Sequence, residues 1–179
     1  LRVLDELYGL KRVVYSTYQA VAGSGQKGIG DLEANLRGED SKGYPHQIAF
    51  NLIPHIDTFL DNGYTKEEIK MIEETRKILG RPDLRVTATC VRVPVRMGHA
   101  VSINVELEKP FDLKDVMEAF NKKEGVVVSD DVKNNVYPMP FDAFYVSMLT
   151  EKYKKNPLSF LKGLWVGFCA LISTFGCKE

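Results

Sequence analysis

Hydrophobic and polar residues alternate with a period of two along 101–108, which predicts a half-buried strand. The β-branched, mostly apolar run at 86–95 predicts a strand before it, and a short turn joins the two. In the strand at 101–108, the apolar residues Val101, Ile103 and Val105 are separated by polar ones. Residues 11–18 are rich in β-branched and aromatic side chains and predict a further strand. These segments together predict a sheet with one buried face.

Three other segments have the spacing of amphipathic helices. The first covers residues 4–8 and stops at a glycine. The clearest covers 65–79, where Thr65 and Glu68 have the spacing of a capping box. The third follows Asp112, a preferred residue at the start of a helix, and has one apolar face. Helices therefore alternate with strands along the chain.

A glycine-rich loop at 22–30, AGSGQKGIG, lies between a predicted strand and a short helical piece at 32–36. Its GSGQKG matches the G-x-G-x-x-G template of dinucleotide-binding folds. That fingerprint also needs a full helix and a second strand that ends in an acid about 20 residues later. Here the chain continues into a polar, turn-rich segment instead. The glycines therefore favour a loop with positive φ angles or a close backbone approach.

Three further segments are less regular. Residues 48–60 are apolar and are interrupted by Pro54, which predicts two short buried pieces. Residues 125–132 predict a short strand. Residues 134–143 contain two prolines and predict an extended loop.

Residues 144–179 differ in character from the rest of the chain. Within them, 158–177 are strongly apolar and approach the length needed to span a bilayer. Three glycines and several polar residues lower the hydropathy there. A membrane anchor is therefore an alternative, and a soluble, cytoplasmic protein is the expectation.

Composition and charge narrow the function classes. The chain has 179 residues, of which 44% are hydrophobic, and this is enough for one domain with a core. Its 24 basic residues balance 24 acidic ones, so no overall field favours nucleic acid or an anionic membrane. Three cysteines make no disulfide framework, which fits a reducing compartment. Any anion site must therefore be local.

Arg92 and His99 are the first candidates for chemistry. Arg92 lies in a mostly apolar strand, and a guanidinium that cannot lose its proton is costly to bury without an anion. His99 follows a glycine seven positions later and titrates near neutrality. A core carboxylate beside Arg92 and a turn position for His99 are the structural alternatives.

Three other side chains carry weaker signals. Cys90 shares a strand face with Arg92, although a thiol in such a strand is more often a small buried hydrophobe. Glu67 and Lys70 lie three positions apart on one helix face, which by itself indicates a solvated ion pair.

Five stretches together resemble aspartate-semialdehyde dehydrogenases, in that family's order. They are KRVVYSTYQAVAGSG (11–25), YPHQIAFNLIPHID (44–57), NGYTKEEIKMIEETRKIL (62–79), TATCVRVPVRMGHAVSINVE (87–106) and NNVYPMPFDA (134–143). The resemblance implies that 1–143 form the family's C-terminal catalytic and dimerisation domain. It implies an α+β fold with a mixed, largely antiparallel sheet and helices on one face, like the C-terminal domain of glyceraldehyde-3-phosphate dehydrogenase.

The same resemblance implies an activity. The family reduces aspartyl phosphate to aspartate semialdehyde with NADPH, releases phosphate, and serves lysine, threonine and methionine synthesis. A homodimer is the expected assembly. The family's nucleophilic cysteine and its Rossmann domain belong to sequence that is expected ahead of residue 1. The isolated chain is therefore expected to be inactive, and a non-catalytic homodimerisation module is the alternative.

Site roles follow from the resemblance residue by residue. It implies that His99 is the general acid/base and that Gln19 orients the substrate. Arg92 would bind the substrate carboxylate, Glu67 its amino group and Lys70 the phosphate. Three loop residues would lie near the cofactor: Gly23, Ser24 and Gly25. No metal is expected.

The tail does not follow the family pattern. The family continues with a VGRIR strand and a long glycine- and alanine-rich helix, neither of which occurs in 144–179. We therefore expect 144–179 to be a divergent segment, and our hypothesis is that it is out-of-frame or otherwise aberrant sequence.

Overall fold

The computed structural model describes residues 1–142 and the backbone of 168–172. The described strands are β1 (Leu10–Gln19), β2 (Arg85–Arg92), β3 (His99–Leu107) and β4 (Phe168–Ile172). The described helices are α1 (Arg2–Tyr8), α2 (Gly25–Leu36), α3 (Lys66–Leu79) and α4 (Leu113–Lys122), with short 3₁₀ turns at Val21–Ser24 and Val132–Asn134.

The strands form one mixed sheet in the order β2-β1-β3-β4. Strand β1 pairs parallel with β2 and antiparallel with β3, and β3 pairs parallel with β4. The α+β fold and the mixed sheet are confirmed. A largely antiparallel sheet was expected, whereas two of the three pairs among the described strands are parallel. The crossover through α2 and α3 accounts for the parallel β1–β2 pair, because it returns the chain to the same end of the sheet before β2.

One face of the sheet carries the main core, as predicted. Helices α1, α3 and α4 cover it, and their side chains pack on the inward residues of the strands. The buried strand residues are Val13, Tyr15, Ala88, Cys90, Val101 and Ile103, and the helical ones include Leu4, Val116 and Phe120. Among the described helices, none packs on the opposite face.

The start of α3 is fixed by the predicted capping box. The Thr65 hydroxyl accepts a hydrogen bond from the Glu68 N–H, and the Glu68 carboxylate accepts one from the Thr65 N–H at 2.8 Å. The other Glu68 oxygen accepts from the Cys90 N–H at 3.0 Å. This carboxylate therefore ties the first turn of α3 to strand β2.

Helix α2 is longer than predicted. It begins at Gly25, whereas helical structure was expected only at 32–36. Gly28 lies inside it because a Cβ there would come within 2.6 Å of the Tyr44 hydroxyl and closer still to the Val21 carbonyl. Glycine inside this helix therefore serves packing, which its low helix propensity concealed.

The strand predicted at 125–132 is not found. Residues 125–132 form no strand with a described partner, and only an isolated bridge joins Asp131 to Val136. A β-branched run without a neighbouring strand has no ladder to join.

The interpretations of 144–179 fall outside the described residues, apart from the backbone of β4. Within the described residues, no helix combines the length and apolarity that crossing a membrane requires.

Asp31 on α2 holds the following loop in place. Asp31 is 4% exposed, and its carboxylate accepts hydrogen bonds from three successive backbone N–H groups. The distances are 2.9 Å from Lys42, 2.7 Å from Gly43 and 2.8 Å from Tyr44. Burial alone raises the pKa of Asp31, but these three bonds and the charge of Lys27 outweigh burial and lower it. The ionised form therefore stabilises the loop.

We predict that Asp31→Asn lowers the free energy of unfolding of the chain by about 2 kcal/mol, because an amide nitrogen cannot accept and leaves a backbone donor unpaired. Urea denaturation of the full chain measures this loss. Because the folded pKa of Asp31 is depressed, its stabilisation is present above the ordinary carboxyl pKa of about 3.9 and is lost as the pH falls through the folded pKa. The difference between wild type and variant is expected to shrink on acidification.

Glu33→Gln is the matched control. Glu33 lies on the same helix and contacts Arg96 at 3.2 Å in an ion pair whose side chains are 46% and 66% exposed. Exposed pairs of this kind contribute little to stability, so we expect a change within about 0.5 kcal/mol. Equal losses from both variants would contradict the role given to Asp31.

Candidate active site

Three of the predicted site residues lie side by side at one end of the sheet. Gln19 ends β1, Arg92 ends the parallel strand β2, and His99 begins the antiparallel strand β3. Gln19 pairs with Arg92, and the pairing of Tyr18 with Ala100 places His99 beside Gln19 on the other side. The strand alternation turns these side chains to the helix-covered face. They form the last row of that face.

The peptide groups of Ala20 connect two of these side chains. The Ala20 carbonyl accepts a hydrogen bond from Arg92 Nη1 at 2.8 Å. The Ala20 N–H donates to His99 Nδ1 at 3.1 Å. Ala20 is fully buried, and it follows directly after the end of β1. One residue of backbone therefore sets the positions of both the guanidinium and the imidazole.

Arg92 is a buried cation whose Nε has no hydrogen-bond partner among the described residues. The side chain is 6% exposed, and the described ion pairs include none to Arg92. Burial lowers its pKa, while Tyr44, Glu67 and Cys90 act in the opposite direction. The alternative of a core carboxylate paired with Arg92 is therefore not met in the described part of the chain. A guanidinium edge with an orphaned donor fits a carboxylate.

His99 is half-buried, and its surroundings disfavour the charged form. Burial lowers its pKa first and the charge of Arg92 lowers it further, whereas the Gly98 carbonyl and Glu67 oppose this shift only in part. Gly98 itself has a φ of 81°, and a Cβ there would lie 2.5 Å from the Pro140 carbonyl. The glycine before His99 therefore allows the 136–141 segment to approach the histidine.

The start of α3 brings a carboxylate and an ammonium group, those of Glu67 and Lys70, to the same end of the sheet. Gln19 Nε2 donates to Glu67 Oε1 at 3.3 Å, and to the Thr17 hydroxyl at 3.3 Å. The other Glu67 oxygen lies 3.6 Å from Lys70 Nζ. The Glu67–Lys70 pair expected from spacing alone is present, and it lies against the row of strand ends. The side chains are 21% and 40% exposed, so both remain accessible.

The glycine-rich loop passes directly over Arg92 and His99. A Cβ on Gly23 would lie 2.8 Å from Arg92 Nη1 and 3.5 Å from His99 Nε2. Gly25 has a φ of 67°, and no heavy atom comes within 4 Å of its Cβ position. The space beside Gly25 is therefore open, while the missing side chain of Gly23 leaves room for those of Arg92 and His99.

Sequence reasoning missed the contact that fixes this loop. The Tyr44 hydroxyl donates to Ser24 Oγ at 2.9 Å, and the Tyr44 N–H is one of the three groups held by Asp31. Ala20 was missed as well. Tyr44 lies within one of the five resembling stretches, but the chemistry of Ala20 is carried by its backbone, which no side-chain pattern reveals.

Cys90 does not act as a nucleophile in this arrangement. It is fully buried, and burial raises the pKa of its thiol to about 11. A thiol with that pKa is protonated at neutral pH and is a poor nucleophile. Among the described residues, no cluster of three or more histidine, cysteine or acidic side chains could hold a metal ion.

The arrangement can bind an anionic, hydrogen-bonding small molecule. A buried guanidinium, a carboxylate, an ammonium group and a neutral imidazole converge on one end of the sheet. The combination suits a substrate with a carboxylate, an amino group and a second anionic group.

Comparisons with known proteins show what this chain is similar to. The family described as "Semialdehyde dehydrogenase, dimerisation domain" matches residues 1–150. Aspartate-semialdehyde dehydrogenase of Aquifex aeolicus is 47% identical over 150 residues, which cover 80% of this chain and 44% of that protein. The enzyme of Helicobacter pylori J99 is 42% identical, covering 90% of this chain and 51% of that protein. The chain spans about half the length of these curated relatives.

Solved structures have the same fold. Aspartate semialdehyde dehydrogenase II of Vibrio cholerae, complexed with ASA, is 43% identical with a TM-score of 0.65, covering 69% of this chain and 38% of that one. The Francisella tularensis enzyme is 27% identical with a TM-score of 0.65, covering 78% and 46%. The resemblance identified from five sequence stretches is thereby confirmed. The chain belongs to the semialdehyde dehydrogenase family, within its dimerisation domain, and its relatives are aspartate-semialdehyde dehydrogenases.

Proposed function

We propose that this chain supplies the substrate-binding and acid/base half of an NADPH-dependent aspartate-semialdehyde dehydrogenase. The reaction would reduce aspartyl phosphate to aspartate semialdehyde, a step toward lysine, threonine and methionine. The buried Arg92, whose Nε has no hydrogen-bond partner among the described residues, carries the proposal.

Arg92 would bind the α-carboxylate of the substrate. Its Nη1 is already held by the Ala20 carbonyl at 2.8 Å, so the guanidinium plane is fixed before the ligand arrives. A planar fork of donors matches a carboxylate with two parallel hydrogen bonds. A bound anion would also offset the cost of burying the cation.

Glu67 and Lys70 would bind the other charged groups of the substrate. Glu67 offers a carboxylate to the substrate ammonium, next to the amide of Gln19. Lys70, one turn later on α3, offers an ammonium to the phosphate. Their contact at 3.6 Å holds each near its place, and an incoming ligand could divide the pair between its own charges.

Gln19 and His99 flank the position where chemistry would occur. Gln19 would orient the substrate through its side-chain amide. His99 would act on the substrate oxygen, on which charge develops during the reaction. Both residues lie in the same row as Arg92, so a substrate anchored by its carboxylate would reach them.

The cofactor would contact the loop at Gly23, Ser24 and Gly25. The open space over Gly25 and its positive φ fit the close approach of a flat ring to the backbone. NADPH supplies a hydride when it is bound. The loop would help to place it, and the Tyr44 hydroxyl supports the loop by donating to Ser24 Oγ.

The reaction also requires a reactive thiolate, and Cys90 does not supply it, because its thiol is protonated at neutral pH. We therefore propose that the chain binds substrate but does not turn it over by itself.

We predict that Arg92→Lys abolishes binding of aspartate semialdehyde to the chain. Lysine replaces a bidentate fork by a single point charge, and its shorter head cannot keep the Ala20 contact. NMR titration of the ¹⁵N-labelled full chain measures this through ligand-induced shifts of the Gln19 side-chain amide in both proteins and of the Arg92 Nε–H in the wild type. The wild type is expected to show saturable shifts at both.

Arg96→Lys is the matched control. Arg96 is 66% exposed and pairs with Glu33 on the surface. The control is expected to bind aspartate semialdehyde like the wild type. Loss of binding in the control, or retained binding in Arg92→Lys, would contradict the role of Arg92.

A homodimer through the uncovered face of the sheet is the second proposal. The family description names this a dimerisation domain, which supports it. On that face, Tyr18 is 40% exposed and pairs with the half-buried Val91, and Ser16 pairs with Thr89 and Ser102. A flat surface of aromatic, aliphatic and hydroxyl side chains is typical of sheet-to-sheet packing.

We predict that Tyr18→Asp shifts the chain from dimer to monomer, because it buries an unpaired charge at the interface. Light scattering coupled to size-exclusion chromatography measures the mass, and circular dichroism checks the fold. Tyr137→Asp is the control, since Tyr137 is similarly exposed at 49% but lies outside the sheet. A wild type that elutes as a monomer at all concentrations would rule the interface out.

A further inference from the structure

Thr17 is a buried polar side chain to which the proposed function gives no role. It is 1% exposed and lies two residues before Gln19 on β1, so the two side chains are on the same face of the sheet. The Thr17 hydroxyl accepts a hydrogen bond from Gln19 Nε2 at 3.3 Å. A buried hydroxyl is costly unless it is hydrogen-bonded, so its partners indicate what it holds in place.

Glu67 determines which end of the Gln19 amide faces the protein. A side-chain amide has a nitrogen that donates two hydrogen bonds and an oxygen that accepts. A carboxylate can only accept, so the end of Gln19 that lies 3.3 Å from Glu67 Oε1 is the nitrogen. Nε2 therefore directs one proton to Glu67 and the other to Thr17, and both of its donors are used.

The proton of the Thr17 hydroxyl has an acceptor of its own. Thr17 pairs with Cys90 in the register of β1 and β2, and its hydroxyl is hydrogen-bonded to the Cys90 thiol. Burial raises the pKa of this thiol to about 11, and the bond from Thr17 acts in the opposite direction, as a donor to sulfur does. With its proton directed to Cys90, the hydroxyl turns a lone pair to Gln19.

We infer that Thr17 is a positioning residue, whose hydroxyl is oriented by Cys90 and holds the Gln19 amide so that Oε1 is the end presented to substrate. The inference deepens the proposed function and rests on it in one respect, namely that this end of the sheet receives the substrate. It also gives the buried thiol a part in the site without requiring it to react.

The oxygen of the Gln19 amide is left open for a ligand. Among the described residues, Oε1 accepts no hydrogen bond, and Arg92 Nε is the one fully buried side-chain donor or acceptor there without a partner. Oε1 therefore keeps contact with solvent, although Gln19 as a whole is 5% exposed.

An oxygen in this position selects a hydrogen-bond donor on the ligand, such as the ammonium group that Glu67 would also bind. The reversed amide would present its nitrogen to the ligand and would set Oε1 against the Glu67 carboxylate, so two acceptors would face each other. The fixed amide therefore favours an amino-acid substrate over an analogue without the amino group.

NMR spectroscopy of the full chain labelled with ¹⁵N and ¹³C tests the orientation directly. Each Nε2 proton of Gln19 lies beside its acceptor, so nuclear Overhauser contacts report which end of the amide faces inward. We expect one proton to contact the side-chain protons of Thr17 and the other to contact the γ-methylene of Glu67. A wild type without these contacts would overturn the inference.

Two substitutions at Thr17 separate the hydroxyl from the space that the side chain fills. Thr17→Val removes the hydroxyl at nearly constant shape, and Thr17→Ser keeps it. We expect Thr17→Val to make the Gln19 amide more mobile, measured by ¹⁵N relaxation of Nε2. We also expect it to weaken binding of aspartate semialdehyde about fivefold, because one hydrogen bond that pre-orients the amide is lost. Thr17→Ser is expected to retain the order of the amide and the affinity.

Thr75→Val is the matched control. Thr75 is also a buried threonine, 8% exposed, and its hydroxyl bonds the Met71 carbonyl at 2.6 Å and the Tyr15 hydroxyl at 2.8 Å. It has no contact with Gln19 among the described hydrogen bonds. We expect this variant to lose stability in urea denaturation while the Gln19 amide stays as ordered as in the wild type.

An unchanged amide or an unchanged affinity in a folded Thr17→Val variant would overturn the inference. So would an equal loss of order at Gln19 in Thr75→Val, because the effect would then be general destabilisation. If Thr17→Val does not fold, the contacts in the wild type decide. A wild type that fails to bind aspartate semialdehyde would refute the proposed function instead, since the amide orientation is measured without ligand.

Discussion

The peptide groups of Ala20 hold the two side chains on which the site depends. The carbonyl accepts from Arg92, and the N–H donates to His99. A buried guanidinium is costly unless its donors are satisfied, and an imidazole can face substrate in two ways unless one nitrogen is committed. A single buried residue just after β1 accepts from one guanidinium donor and commits one imidazole nitrogen, while Arg92 Nε is left without a partner among the described residues. The remaining structure keeps that residue and its two partners in register.

Three features provide this support, each from a different part of the chain. The strand alternation turns Gln19, Arg92 and His99 to the helix-covered face as its last row. Glu68 ties the first turn of α3 to β2 and so brings Glu67 to that row. Asp31 fixes the loop whose Tyr44 reaches Ser24 above it. The contacts that support the site are therefore made mainly by ionised side chains and backbone groups next to it.

Much of the fold could be predicted from periodicity. Alternation predicted β3, β-branched and apolar composition predicted β1 and β2, and the spacing of Thr65 and Glu68 predicted the start of α3 to the residue. The full length of α2 could not be predicted, because Gly28 is a poor helix former that packing requires. The expected strand at 125–132 failed because β-branched composition does not reveal whether a neighbouring strand is present.

The site was only partly accessible from sequence. Arg92 could be identified as a buried charge, and the five resembling stretches added Gln19, Glu67, Lys70 and His99. Those residues are separated by up to 80 positions, and pairing of the strands brings three of them together. The role of Ala20 was inaccessible, since backbone hydrogen bonds leave no trace in the identity of a side chain.

The central claim is that Arg92 binds the carboxylate of the substrate and that its guanidinium is held in place beforehand by the Ala20 carbonyl. A crystal structure of the full chain with aspartate semialdehyde tests it most directly. The account predicts a carboxylate hydrogen-bonded to Arg92 Nε, an amino group beside Glu67, and the Ala20 contacts unchanged. A ligand bound elsewhere, or a protein side chain occupying the Nε of Arg92, would contradict it.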